Sequence, residues 1–246
     1  MSSAPLVRQH TDRGVAVLTL DSPHNRNALS AELVGQLSDA LDEAGRDDGV
    51  RAVLIGHEGP AFCSGADLKA GDIDKGPQAV VDLMRRIVAL PRPVVARVDG
   101  HARAGGIGLI AACDIAVAGH GATFAFTESR LGLAPSVISL PILARADRRA
   151  VARYFLTGER FGPEEAQRIG LVSGTADELH GILAGLRAAS PQGLAASKEL
   201  TTGPLLRALD EAGPVLAAES GRLFASEEAA LGIRAALERR DPPWAL

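Results

Sequence analysis

Val50-Arg51-Ala52-Val53-Leu54-Ile55-Gly56 is a short, nearly unbroken apolar run. It lacks the polar alternation of a half-buried strand and is short for a helix. It therefore reads as a strand covered on both faces, the habit of parallel sheets. The chain on either side fits that reading. Upstream, residues 14–20 (GVAVLTL) form a first strand that stops at Asp21-Ser22-Pro23. Ser30 then caps a helix whose Val34, Leu37, Leu41 and Ala44 share one stripe, and Gly45 to Gly49 ends it. Downstream, a helix near 78–90 places Val80, Leu83, Met84 and Ile87 on one side and is stopped by Pro91-Arg92-Pro93. Residues 94–98 give another strand, and 114–118 and 123–126 are further short ones. Strands alternating with helices imply crossover connections and an α/β arrangement.

The C-terminal part differs. From Pro163 onward Ala, Leu, Glu and Arg dominate, and Pro191, Pro204 and Pro214 stand where short helices can begin. The expected organisation is a layered α/β core over 1–188 followed by a mostly helical region over 189–246.

Composition narrows the function. The 246 residues are 46% apolar and 23% charged, with a formal net charge of -4, as expected of a soluble globular chain. A mildly acidic chain with 3% aromatic residues has neither the basic patch nor the stacking platforms of a nucleic-acid binder. No window holds the roughly 18 consecutive apolar residues of a membrane span. The start Met1-Ser2-Ser3-Ala4-Pro5 has no secretory pattern, so the expected location is cytoplasmic, with Cys63 and Cys113 as reduced, packed thiols. Neither these cysteines nor the six histidines show metal-ligand spacing.

Three stretches can carry chemistry. Pro60-Ala61-Phe62-Cys63-Ser64-Gly65-Ala66-Asp67-Leu68-Lys69 directly follows the strand at 50–56. Its small residues let a backbone approach a ligand, although a plain strand-to-helix turn begun by Asp67 explains it as well. In the second stretch, 99–114, glycines at 105, 106 and 108 open an apolar helix whose free N–H groups face any nearby oxyanion. The Gly106–Ala111 segment matches G-x-G-x-x-A, but six residues separate the preceding strand from Gly105, and the next strand ends without an acid. A dinucleotide site is therefore set aside. The third stretch places Glu128 at the exit of an apolar strand, among Phe126, Leu131 and Leu133. Such surroundings raise a carboxyl pKa toward neutrality and suit it to proton transfer; an ion pair with Arg130 is the competing reading. Ser64 and Ser136 have no nucleophile elbow, and Cys63 has no basic neighbour to make it a thiolate.

Taken in order, these stretches resemble the crotonase superfamily, the enoyl-CoA hydratase/isomerase family. The resemblance starts at Asn25-Arg26-Asn27-Ala28-Leu29 and runs through 61–68, 100–115 and 124–135. It continues through Tyr154-Phe155-Leu156-Thr157-Gly158-Glu159-Arg160 and 166–172 to the terminal 237–244. It implies a spiral of ββα turns with a C-terminal helical region that builds a homotrimer or a dimer of trimers. It implies an acyl-CoA substrate, with coenzyme A entering as part of the thioester and no resident cofactor or metal. By motif position, the Ala66 and Gly105 amides form the oxyanion hole and Glu128 is the catalytic acid/base. Arg26, Ala28, Ala66, Asp67, Leu68, Lys69 and Gly105 fall along the CoA ester.

The chain departs from the resemblance at one position. Hydratases of this family generally use two glutamates, and the first would fall at Gly108. Three explanations stand: Glu128 works alone, Asp72 or Asp74 reaches in, or the reaction is a 1,3-proton shift that needs one acid. Gly108 combined with residues 127–133 (TESRLGL) is similar to a branch of enoyl-, methylglutaconyl- and carboxygeranoyl-CoA hydratases; in that branch Arg103 can meet a substrate carboxylate, although a surface or CoA-contacting arginine is the preferred reading. A 2-enoyl-CoA hydratase is thus the primary expectation. An enoyl-CoA isomerase and a non-catalytic acyl-CoA-binding member are the alternatives.

Overall fold

The computed structural model describes residues 4–67 and 76–246. Its strands, numbered in chain order, make two sheets. The larger has the spatial order β1 (Val7–Asp12), β2 (Val15–Leu20), β3 (Ala52–His57), β5 (Val94–Val98), β7 (Ile115–Ala118) and β9 (Gly174–Thr175). The smaller consists of β4 (Ala61–Cys63), β6 (His101–Arg103) and β8 (Thr123–Ala125). Apart from the β1–β2 hairpin, the strand pairings are parallel.

The connections have a repeating logic. Each of β3, β5 and β7 leads within a few residues to a strand of the smaller sheet, and then to a helix. The helices are α2 (Gly76–Ala89), α3 (Gly105–Ala112) and, beyond a 3-10 turn, α4 (Ser139–Arg145). This is the expected spiral of ββα turns. β3 is largely buried, as its unbroken apolar run requires. Helix α1 (Ala31–Arg46) starts where Ser30 Oγ accepts from Leu33 N at 3.2 Å, and it buries Leu33, Val34, Leu37, Ala40, Leu41 and Ala44. Both cysteines are buried and free. No helix among the described residues is long and apolar enough to cross a membrane.

Three local expectations are corrected. β1 went unread because its sequence, VRQHTD, is polar and five of its six residues are exposed. Its edge position needs no inward-facing hydrocarbon. Helix α2 spans Gly76–Ala89, starting two residues before the expected helix near 78–90. Pro204 and Pro214 do not start helices; they lie inside one 34-residue helix, α8 (Pro191–Phe224). A proline inside a helix removes a backbone bond and crowds the preceding turn. Tertiary packing outweighs that cost here. Leu205, Leu209, Gly213 and Ala217 are buried, and a Cβ at Gly213 would stand 2.7 Å from Val81 Cγ1 of α2. Lys198 Nζ reaches Asp114 Oδ2 at 2.8 Å and donates to the carbonyl of Ile87 at 2.8 Å and of Arg92 at 3.1 Å.

Before α8, the chain passes through α5 (Arg148–Thr157), α6 (Pro163–Arg168) and α7 (Leu179–Ala188); α9 (Glu227–Leu237) follows it.

A buried amide braces the N-terminal loop that enters α1. Asn27 is fully buried, with its Oδ1 accepting from Ser22 N at 2.7 Å. Its Nδ2 donates to the carbonyls of Glu58 (3.1 Å) and Ala61 (2.8 Å), tying the loop to both ends of the β3–β4 connection. Arg26 and Asn27 both take positive φ, 61° and 53°, a conformation that asparagine tolerates better than most residues. Replacing Asn27 with alanine removes three hydrogen bonds, the ones to Ser22 N and the Ala61 carbonyl buried and the one to the Glu58 carbonyl part-buried, so Asn27→Ala should lower the unfolding free energy by about 3 kcal/mol. Urea denaturation checks this; a loss within experimental error would show that the brace carries nothing.

Candidate active site

The first wall of the site is the bend after β4. Gly65 has φ +90°, and a Cβ there would lie 2.8 Å from Ala104 Cβ and 3.3 Å from the Arg103 carbonyl oxygen, so only glycine fits. Leu29 N donates to the Gly65 carbonyl at 2.8 Å, and Leu29 pairs with Ala66 in a parallel bridge. The C=O of Gly65 and the N–H of Ala66 belong to one planar trans peptide and point in opposite directions. With the carbonyl spent on Leu29, the Ala66 N–H is turned the other way.

The second wall repeats the device. After β6, Ala104 adopts φ 46° and ψ -119°, strain of order 1–3 kcal/mol that the surroundings must hold. Its carbonyl accepts from Ile107 N at 2.9 Å and Gly108 N at 3.2 Å, so it points along α3. The Gly105 N–H, on the other side of that peptide, therefore leaves through the helix N-terminus, where the helix supplies no acceptor. A Cβ at Gly105 would meet Leu29 Cδ1 at 2.7 Å and Gly65 Cα at 3.7 Å. The two bends thus touch, backbone against backbone.

The third wall comes from β8. Phe124 and Phe126 are buried, and Glu128 opens a short 3-10 turn, Glu128–Leu131, closed by Gly132 at φ 71°. Leu133 N donates back to the Glu128 carbonyl at 2.9 Å and fixes the turn. The Glu128 side chain is inside the protein, and its Oε2 finds no hydrogen-bond partner among the described residues. Burial pushes its pKa up from the ordinary 4.5 to about 7, with amides of residues 127 and 128 opposing the shift. Arg130 does not pair with it: the Arg130 Nε donates to the Thr157 carbonyl at 2.9 Å.

Ala66, Gly105 and Glu128 line one cavity of about 300 Å³. Its other walls include Leu29, Val34, Val80, Leu133, Val137 and Ile138, and Ser220 and Phe224 of α8 reach it as well. Sequence reasoning missed the α8 residues, because no local pattern marks a contact made across so long a separation. Asp67 also lines the cavity, with Asn25 Nδ2 donating to its Oδ2 at 3.5 Å. Arg26 is exposed outside the lining, and its carbonyl accepts from Ser64 N at 3.1 Å. Ala28 is buried and is not part of the cavity lining. Leu68, Lys69, Asp72 and Asp74 lie outside the described residues. Arg103 is spent on structure, donating to the Ala102 (2.8 Å) and Thr123 (2.7 Å) carbonyls and to Thr123 Oγ1 (2.9 Å). Burial pushes the Cys63 thiol up to about 12, which leaves it no nucleophilic role near neutral pH.

Gly108 is not an empty place awaiting an acid. A Cβ there would stand 2.5 Å from Ile138 Cγ2, 2.9 Å from Ile138 Cβ and 3.2 Å from Met84 Sδ. The space beside it is already filled with hydrocarbon.

The enoyl-CoA hydratase/isomerase family model matches residues 10–245. A Bacillus subtilis protein named probable enoyl-CoA hydratase is 35% identical over 248 residues, spanning 95% of this chain and 96% of its own. The Escherichia coli 1,2-epoxyphenylacetyl-CoA isomerase is 32% identical over 183 residues, covering 70% of each chain. Among solved structures, an enoyl-CoA hydratase from Mycobacterium avium superposes with a TM-score of 0.93 at 46% identity and complete coverage of both chains.

The raised pKa of Glu128 has a measurable cost. Between about pH 4.5 and 7 the unfolded chain has released this proton while the folded one keeps it, so stability falls as pH rises through that window. Glu128→Gln removes the titration. The variant should be more stable than wild type above pH 7, by on the order of 3 kcal/mol, and the gap should close below pH 4.5. Chemical denaturation at pH 4.5 and 8 tests this, and a pH-independent difference would refute it.

Proposed function

The chain belongs to the enoyl-CoA hydratase/isomerase family, and we propose that within it this protein adds water across the double bond of a 2-enoyl-CoA thioester. One observation carries the reading: two outward-turned amides border the same cavity as a buried carboxyl whose Oε2 has no hydrogen-bond partner among the described residues. In this reading the thioester oxygen sits between the Ala66 and Gly105 N–H groups. They polarise the conjugated system and hold the charge that develops on oxygen; losing one such donor costs about 3–4 kcal/mol in the transition state.

Glu128 then moves the proton. As carboxylate it takes a proton from water while the water oxygen bonds to C3, and the π electrons shift toward the thioester oxygen. The resulting acid returns a proton to C2 as the enolate collapses to the 3-hydroxyacyl thioester. A pKa near 7 suits both halves, since either form is accessible at neutral pH. Arg26, Ala28, Asp67, Leu68 and Lys69 are assigned to binding the CoA part of the thioester.

A second reading has its own support. With Ile138 filling the space beside Gly108, the described lining has one glutamate, and a 1,3-proton shift needs no more. An isomerase would use the same amides, with Glu128 taking a proton from C2 of a 3-enoyl thioester and returning it at C4.

We assign residues 1–188 to the catalytic spiral and 189–246 to assembly as a homotrimer or a dimer of trimers in the cytoplasm. Leu200 and Val215 on α8 are 84% and 68% exposed, a hydrocarbon surface suited to a second copy of the chain.

Purified protein given crotonyl-CoA and a 3-enoyl-CoA decides among the readings. A hydratase depletes the first, an isomerase converts the second, and binding without either change would support a non-catalytic member. Whichever reaction is found, Glu128→Gln should lower turnover at least ~100-fold while leaving CoA-ester affinity mostly intact. In the wild type, kcat/KM should rise with pH through about 7, where the carboxylate form appears. A profile flat across pH 6–8 would remove Glu128 from the proton transfer.

A further inference from the structure

Ile138 is held from three directions. Its Cγ2 and Cβ occupy the notch that Gly108 leaves on the first turn of α3, with Met84 of α2 beside the same notch. Its backbone enters α4, where its carbonyl accepts from Ile142 N at 3.3 Å and the next amide, Ser139 N, donates to Pro135 O at 3.0 Å. Ile138 is 3% exposed and Met84 is fully buried, yet Ile138 borders the cavity that Ala66, Gly105 and Glu128 share. A β-branched side chain is stiff at χ1, and close packing on this side restricts it further.

We infer that Ile138, seated against Gly108, is a specificity-determining residue that limits the bulk of the acyl group and favours a hydrocarbon one. The inference rests on the acyl-thioester reading above. The wall is mostly apolar: Val137 and Pro135 border the cavity next to Ile138, and the hydroxyl of Ser136 between them donates to the Ala134 carbonyl at 3.4 Å, so a polar acyl group pressed there would lose hydrogen bonds with water. The space is also small. About 300 Å³ is at the lower end for a small-molecule site, so atoms added to the acyl group compete directly with this wall. Gly108 sets the position of the wall. Any side chain there drives Ile138 toward the cavity, because its Cβ and Ile138 Cγ2 would be 2.5 Å apart.

The test uses unreactive thioesters, so it does not depend on turnover. The Kd values of butyryl-, isovaleryl- and octanoyl-CoA are measured by calorimetry for wild type, Ile138→Ala, Gly108→Ala and the double variant. Ile138→Ala should shift the ratio of bulky to butyryl affinity about 10-fold toward the bulky esters. Gly108→Ala should shift it the opposite way, and the double variant should return toward wild type, since the new methyl takes the place of the lost branch. Should Gly108→Ala fail to fold, Ile138→Ala and Ile138→Val carry the comparison. Ratios within about 2-fold of wild type in both Ile138 variants would overturn the inference. Wild-type protein that binds none of the three esters would overturn the acyl-thioester reading and this inference together. Esters bound without Glu128-dependent turnover would overturn only the catalysis, and the Kd ratios would still judge Ile138.

Discussion

The site depends on two stretches of main chain lying closer together than side chains permit. Gly65 and Gly105 face each other with no Cβ between them, and Leu29 and Ala104 fill the remaining space around the contact. Neither amide is aimed by a side chain. Each is aimed because the carbonyl of its own peptide is committed elsewhere, one to Leu29 and the other to the first turn of α3. A donor fixed by peptide planarity needs no reorganisation when charge appears near it. The twisted backbone at Ala104 is the strain that this arrangement stores.

Much of this was legible in the residues. The unbroken apolar run at 50–56 and the stripe on α1 mark buried elements because burial dictates their composition. Glycines at 65 and 105 announce close approach, and Glu128 among phenylalanine and leucine announces a shifted acid. The unread parts share a physical reason, which is dependence on partners distant in sequence. Edge strand β1 buries little, so it carries no apolar signature. Pro204 and Pro214 are tolerated within α8 only because that helix lies on α2, a fact with no local signal. Ile138 looks like any core isoleucine until its contact with Gly108 is seen. The glycine is conspicuous in the sequence, while what it makes room for is not.

Glu128 joins stability and chemistry in one group. A buried carboxyl with one oxygen left unpaired is unfavourable for the fold, yet those same surroundings bring its proton into the neutral range. Its placement asks little of local sequence. A short turn, a left-handed glycine and one returning amide suffice, because β8 has already brought the chain to the cavity edge.

The reach of α8 back to Ser220 and Phe224 has a consequence for biosynthesis. A polypeptide leaves the ribosome N-terminus first, and folding follows emergence. Residues 66, 105 and 128 are all translated long before residue 224. The side of the cavity that α8 supplies is therefore added last, after the bends and the carboxyl it covers have already emerged.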